Sequence, residues 1–199
     1  MLLEAENLAA ERGGELVFSD INFVLREGEG LVVTGPNGAG KSTLLRAVAG
    51  LLPLAAGRVR FDGDAEFDEV GGACHYLGHQ NAMKTALTVE ENLRFWREFS
   101  GSAHLEIVEA LEMVGLADIG HLPFGYLSTG QKRRAAIAKL LVSYRPVWLL
   151  DEPTAGLDKA SETQFAELMR AHLGDGGMII AATHHPLGLE GAAELRMGA

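Results

Sequence analysis

The sequence is poor in the features that mark exported, membrane-spanning or nucleic-acid-coating chains. It holds one cysteine, Cys74, so no internal disulfide can form and a reducing compartment suits it. Cys74 reads as a small strand residue rather than a reactive thiol. No apolar run approaches the roughly 20 residues that a spanning helix needs. Met1-Leu2-Leu3 passes straight into Glu4 and Glu6, with no leader-like stretch. These absences predict a soluble chain that reaches a membrane only through a partner. Positive charge is scarce too: 17 Lys and Arg stand against 27 Asp and Glu, a net charge of -10, which argues against coating nucleic acid with a basic field. Repeats and low-complexity tracts are also missing. What remains is 199 residues, 47% apolar and 22% charged, enough for one compact domain or two lobes sharing a core.

The stretch that organises the chain is Gly35-Pro36-Asn37-Gly38-Ala39-Gly40-Lys41-Ser42, which reads G-x-x-x-x-G-K-S, a phosphate-binding P-loop. Leu31-Val32-Val33-Thr34 before it is a short apolar strand, and Ser42 to Ala49 after it has helical composition. The loop therefore turns out of a strand and opens a helix, whose first N–H groups and positive dipole end face the loop. Glycines let successive N–H groups curl around a phosphate chain. Lys41 is placed to reach the β- and γ-phosphates, and the Ser42 hydroxyl to bind Mg²⁺. Gly35 through Ser42, with Thr43, are the candidate nucleotide-binding residues.

Around the loop, residues 2–8 and Val17 to Leu25 read as strands joined by a turn at Arg12-Gly13-Gly14, with Ile21, Phe23 and Leu25 on one face. The P-loop helix should carry Leu44, Leu45, Val48 and Leu51 inward and stop near Pro53. Gly57 to Phe61 is strand-like, and Asp62-Gly63 is a hairpin-type turn signal. Cys74 to Leu77 is a short strand. Residues 85–145 change character: Glu90 to Phe99 is helical, Ile107, Val108, Leu111 and Val114 form an apolar stripe, Gly125 to Gly130 is a loop, and a helix runs from Thr129 to Ser143. Val147 to Leu150 and Met178 to Ala182 are fully apolar strands flanking a helix from Lys159 to His172, and Leu195 to Met197 is a short edge strand. Apolar strands alternating with helices imply a parallel sheet covered on both faces, with 85–145 as a helical insertion.

Val147 to Leu150 ends in Asp151-Glu152. Ligands of an open α/β sheet sit at the carboxyl ends of its strands. That places Asp151 to hold Mg²⁺ and Glu152 to polarise an attacking water. Farther back, Leu127-Ser128-Thr129-Gly130-Gln131 precedes Lys132-Arg133-Arg134. Ser128 reads as an N-cap; taken alone it is an ordinary cap, and the alternative is a second helix start with donors available for phosphate.

The order P-loop, Leu-Ser-x-Gly-Gln, apolar strand, Asp-Glu resembles the ABC-type ATPases over essentially the whole chain. Their usual third signature residue is Gly, where this chain has Thr129. The resemblance implies a single domain over 1–199 with a helical subdomain at 85–145. Its fold would be α/β, a P-loop NTPase with a mostly parallel RecA-like core, a small antiparallel β subdomain and the helical insertion. It also implies that Gln80 binds Mg²⁺ and couples to a partner, that Ala155-Gly156-Leu157-Asp158 is the D-loop, and that His184 contacts the γ-phosphate and water. Two such domains pair head to tail in that family. Ser128, Gly130 and Gln131 of one copy would then face the ATP held by the P-loop, Asp151, Glu152 and His184 of the other, with membrane subunits receiving the motion on the cytoplasmic side.

A narrower likeness lies in Tyr76-Leu77-Gly78-His79-Gln80-Asn81, Lys84, Leu87-Thr88, Glu91-Asn92-Leu93 and Thr183-His184-His185-Pro186. These are similar to the cytochrome c maturation branch of ABC exporters, called haem exporters. His75, His79 and His185 read as polar residues around a nucleotide site rather than haem ligands. Other cargoes, a soluble mechanical ATPase and a nucleotide-gated module remain alternative readings. ABC ATPases stack adenine on an aromatic residue upstream of the P-loop; the matching place falls at Arg12, whose guanidinium plane can stack instead.

Overall fold

In the computed structural model the described residues are 1–63, 66–67 and 69–198. They fall into two compact units, one made of 1–78, 146–153 and 169–199, the other of 79–145 and 154–168.

The first unit holds two sheets. In the antiparallel one, β1 (Leu2–Arg12) lies between β2 (Glu15–Arg26) and β4 (Ala56–Asp62). Arg12 pairs with Glu15 across Gly13-Gly14, so the anticipated turn is a two-residue hairpin. Ile21, Phe23 and Leu25 do turn inward, as their alternation requires. The second sheet is parallel throughout, in the order β5 (Cys74–Leu77), β6 (Val147–Asp151), β7 (Met178–Ala182), β3 (Gly30–Thr34), β8 (Ala193–Arg196). Strands β6 and β7 are buried at every position, which is why they carry unbroken apolar runs rather than alternation. Helix α1 (Lys41–Val48) follows β3. Leu3, Leu8 and Leu25 of the first sheet, Val33, Leu149 and Ile180 of the second, and Leu44 and Leu45 of α1 meet in one core.

The second unit is helical. It contains α2 (Val89–Ser100), α3 (Ile107–Met113), α4 (Thr129–Val142) and the first turns of α5 (Lys159–Gly174). Val89, Leu93, Ala110, Leu111, Ile137 and Leu140 are buried within it. Thr88 closes the start of α2 with a capping box: its Oγ1 accepts from the Glu91 N–H, and the Glu91 carboxylate accepts from the Thr88 N–H.

Three expectations need correction. Leu51 is 59% exposed, because α1 ends at Val48 and the inward stripe ends with it. Val108 is 63% exposed while Ile107 and Leu111 are buried, so the face of α3 is narrower than the apolar spacing suggested. Asp62-Gly63 does not close a hairpin: β4 pairs with β1, and the next strand, β5, belongs to the other sheet.

Candidate nucleotide-binding site

The P-loop leaves β3 one strand in from the edge of the parallel sheet and enters α1. Gly40 is the N-cap of α1 at φ 93°, a left-handed conformation, and a Cβ there would stand 2.7 Å from Val17 Cγ1. Only glycine meets both demands without strain. With glycine as N-cap, no side chain caps α1, and its first turn carries no acidic residue. Its leading N–H groups therefore have no side-chain rival to an anion. Lys41 is 9% exposed. Its ammonium donates to the carbonyl oxygens of Gly35 at 2.7 Å and Pro36 at 3.0 Å, and lies 3.2 Å from His184 Nε2. That ring nitrogen accepts from Lys41 in one tautomer and donates to Asn37 Oδ1 in the other. The same nitrogen is 3.1 Å from Asn37 Oδ1, so the head of β3 and the end of β7 meet at this lysine.

Asp151 ends β6 and is 5% exposed. Its Oδ1 accepts a hydrogen bond from Ser42 Oγ at 2.9 Å, and its Oδ2 accepts one from the Tyr76 hydroxyl at 3.2 Å. The Tyr76 oxygen in turn accepts from Arg46 Nε at 3.2 Å. Burial first, and the Asp151 charge after it, hold the Tyr76 phenol above its ordinary pKa against the opposing pull of Arg46, so it stays a protonated donor. A hydroxyl and a carboxylate oxygen within contact distance make a hard-oxygen pair. That suits Mg²⁺, which takes one or two protein ligands beside phosphates and water.

Glu152 follows at φ 44°, a region that non-glycine residues rarely adopt. Its N–H donates to the Ala182 carbonyl at 2.8 Å, which holds the strained turn against β7. The carboxylate has a long contact of 3.4 Å from Thr183 Oγ1, and His184 Nε2 lies 3.8 Å away. A cleft of about 550 Å³ is lined by Asn37, Gly38, Gly40 to Thr43, Asp151 and Glu152. Arg12, Glu15, Leu16 and Val17 line it too. Phe18, the nearest aromatic, is buried in the core.

The remaining candidates lie in the helical unit. Gln80 is exposed just beyond β5. Ser128 is the N-cap of α4, with its Oγ accepting from the Gln131 N–H at 3.2 Å and the Gln131 side chain accepting from the Ser128 N–H at 2.9 Å. That capping box uses two of the donors that sequence reading reserved for phosphate. A Cβ on Gly130 would stand 3.1 Å from the Gly156 carbonyl oxygen, so the signature glycine allows the D-loop backbone to approach closely. The Thr129 methyl packs beside Gly156. Asp158 accepts from the Ser161 N–H at 2.8 Å at the head of α5, and this bond holds its carboxyl below the usual range. His75, unlike Tyr76, is buried at a position of β5 that alternation turns away from α1, so it does not border the nucleotide cleft.

Sequence reading missed Tyr76 and Arg46. Tyr76 stands in register with Leu149, two residues before Asp151 on β6, so alternation puts all three on one face. Arg46 follows Ser42 by one helical turn. The Tyr76 signal needs the β5–β6 pairing to be read.

The P-loop helix with its open N-terminus, the Ser42–Asp151 pair and the signature helix together describe an ABC-type ATPase. A family profile described as ABC transporter matches residues 18–155, and the chain belongs to this family. Two relatives called cytochrome c biogenesis ATP-binding export protein CcmA are similar along nearly the full length. One, from Chelativorans sp., is 70% identical over 100% of this chain and 99% of its own. The other, from Mesorhizobium japonicum, is 69% identical over 100% and 98%. A putative ABC transporter ATP-binding protein from Pyrococcus furiosus shares the fold at a TM-score of 0.83, with 24% identity over 99% of this chain and 98% of that one.

Proposed function

We propose that this chain is the ATP-hydrolysing subunit of a membrane exporter that serves cytochrome c assembly, with haem delivery as the work it powers. The observation that carries the reading is the similarity, along nearly the whole chain, to the Chelativorans protein named for ATP-binding export in cytochrome c biogenesis. Site geometry supports the ATPase half of it.

On this reading Lys41 exchanges its bonds to the Gly35 and Pro36 carbonyls for the β- and γ-phosphates of ATP. The open first turn of α1 takes phosphate oxygens on its N–H groups. Ser42 Oγ and Asp151 would hold Mg²⁺, which when bound neutralises phosphate charge; Gln80 is the third candidate ligand. Glu152 orients and polarises the attacking water. His184, already against Lys41, is placed to sense the terminal phosphate. Ser128, Gly130 and Gln131 of a second copy complete the site, with Asp158 at the copy-to-copy junction, so the working form is a homodimer. No helix among the described residues is long and apolar enough to cross a membrane. On the same reading the dimer acts on integral membrane subunits from the cytoplasmic face, and no nucleic acid is involved.

The test replaces the chromosomal copy with Lys41→Ala and stains the cells for covalently bound haem. The expected result is loss of ATPase activity in the purified protein, an unchanged circular dichroism spectrum, and apocytochromes without haem. Normal c-type cytochromes beside an inactive ATPase would sink the cytochrome reading. Retained turnover would sink the P-loop assignment.

A further inference from the structure

The nucleotide site contains a hydrogen-bond chain that phosphate chemistry does not itself require. Arg46, Tyr76 and Asp151 come from α1, β5 and β6, and Ser42 on α1 closes them into a ring. The direction of each proton in the chain is fixed by elimination. Arginine has no acceptor, so the Tyr76 oxygen accepts from Arg46 Nε. An ionised carboxylate has no proton to give, so the Tyr76 hydroxyl donates to Asp151 Oδ2. The Ser42 hydroxyl donates to Oδ1 by the same reasoning. Aspartate needs such a clamp, because its terminal torsion joins sp³ to sp² carbon and has only a broad minimum.

We propose that Tyr76 is a positioning residue for the metal–nucleotide site: its hydroxyl, aimed by Arg46, fixes the Asp151 carboxylate plane so that Oδ1 stays opposite Ser42 Oγ. Tyr76 does not touch nucleotide in this arrangement; it acts through Asp151. The inference rests on the assignment of Ser42 and Asp151 to Mg²⁺.

The test measures binding of a fluorescent ATP analogue to the full chain in excess EDTA and again in excess Mg²⁺. The readout is the ratio of the two dissociation constants, which isolates the metal from the phosphate contacts. In wild type, Mg²⁺ tightens binding. Tyr76→Phe keeps the ring and loses only the hydroxyl. It should leave the EDTA value unchanged and cut the Mg²⁺ enhancement roughly three- to tenfold, the net worth of one ordinary hydrogen bond. Arg46→Met should lower the enhancement in the same direction, and the double variant should fall no further than Tyr76→Phe, because the two act in series. A Tyr76→Phe protein that keeps the full enhancement overturns the proposal. So does one in which both dissociation constants rise by the same factor, since that is the mark of a packing role. A wild type with no Mg²⁺ enhancement overturns the metal assignment itself, and the Tyr76 inference with it.

Discussion

Glu152 is one of the non-glycine residues whose backbone takes a positive φ, and it stands at the cleft. At φ 44° it sits in the left-handed region, and such strain persists only where the surroundings over-determine it. Here the N–H bond to Ala182 does so. Glutamine at this position keeps the shape and the strain but loses the charge that the proposed mechanism uses to polarise water. Glu152→Gln should therefore bind ATP and hydrolyse it at least a hundredfold more slowly, the scale of general-base catalysis, in a phosphate-release assay. Arg12 lines the same cleft beside Leu16 and Val17, where no aromatic side chain lies. Base–aromatic stacking is worth roughly 1–3 kcal/mol. Arg12→Tyr should tighten ATP and GTP alike by about tenfold in competition against a fluorescent nucleotide, and no gain for either would place the base elsewhere. Lys139 raises a different question, one of stability. Burial first, and the Arg133 charge second, push its ammonium down from 10.5 to about 8, and it lies 4.6 Å from the centre of the Trp96 ring. Between those two values the unfolded chain binds a proton that the folded chain has released. Stability from this group therefore rises with pH from about 8 toward 10.5, and the full desolvation penalty is present below 8. Lys139→Met should raise the urea midpoint at pH 7. That advantage should shrink as the pH approaches 10, and a difference independent of pH would contradict the assignment.

At the scale of elements, two helices of the same chain begin in opposite ways. Helix α1 starts on glycine, with no side chain on its first N–H groups. Helix α4 starts on a capping box that ties Ser128 and Gln131 to each other. The first design leaves an anion site; the second stabilises the helix and leaves the N–H groups of the first turn between its partners for other uses. Ser128→Ala removes one acceptor and should destabilise the protein by about 1 kcal/mol, the usual worth of an N-cap. Urea unfolding followed by circular dichroism reads this directly, and an unchanged midpoint would show that water replaces the cap without loss. The misplaced Leu51 and Val108 belong to this scale as well. Apolar spacing gives the direction of a face, whereas the end of the helix and the breadth of its partner decide how far that face extends.

The whole molecule is small and acidic. Signature residues and P-loop residues belong to different compact units, and in the proposed dimer each copy supplies one half of two sites. A net charge of -10 opposes close approach of two copies in low salt. In the proposed mechanism Glu152→Gln removes a charge that would face the terminal phosphate and slows the hydrolysis that would separate the copies. Light scattering should then show a doubled mass for Glu152→Gln in Mg²⁺ and ATP, and more of it at physiological ionic strength than at low salt. A monomer at every ionic strength under saturating ATP would count against a composite site.

The P-loop, its strand and helix, the two unbroken apolar strands, the Asp-Glu pair and the signature helix with its cap are all legible in the amino-acid order alone. Each of these is a local pattern, in which backbone conformation and side-chain chemistry are set by neighbours a few residues apart. Phosphate chemistry also demands one particular set of residues at one spacing, which made the site legible before the fold was. That β4 returns to β1 rather than to its neighbour in sequence, and that β5 lies against β6, comes from the folded chain alone. Strand pairing joins residues far apart in the chain, and no local preference encodes the partner. The Arg46–Tyr76–Asp151 chain follows from that pairing, since its members are brought together by the register of two parallel strands beneath one helix.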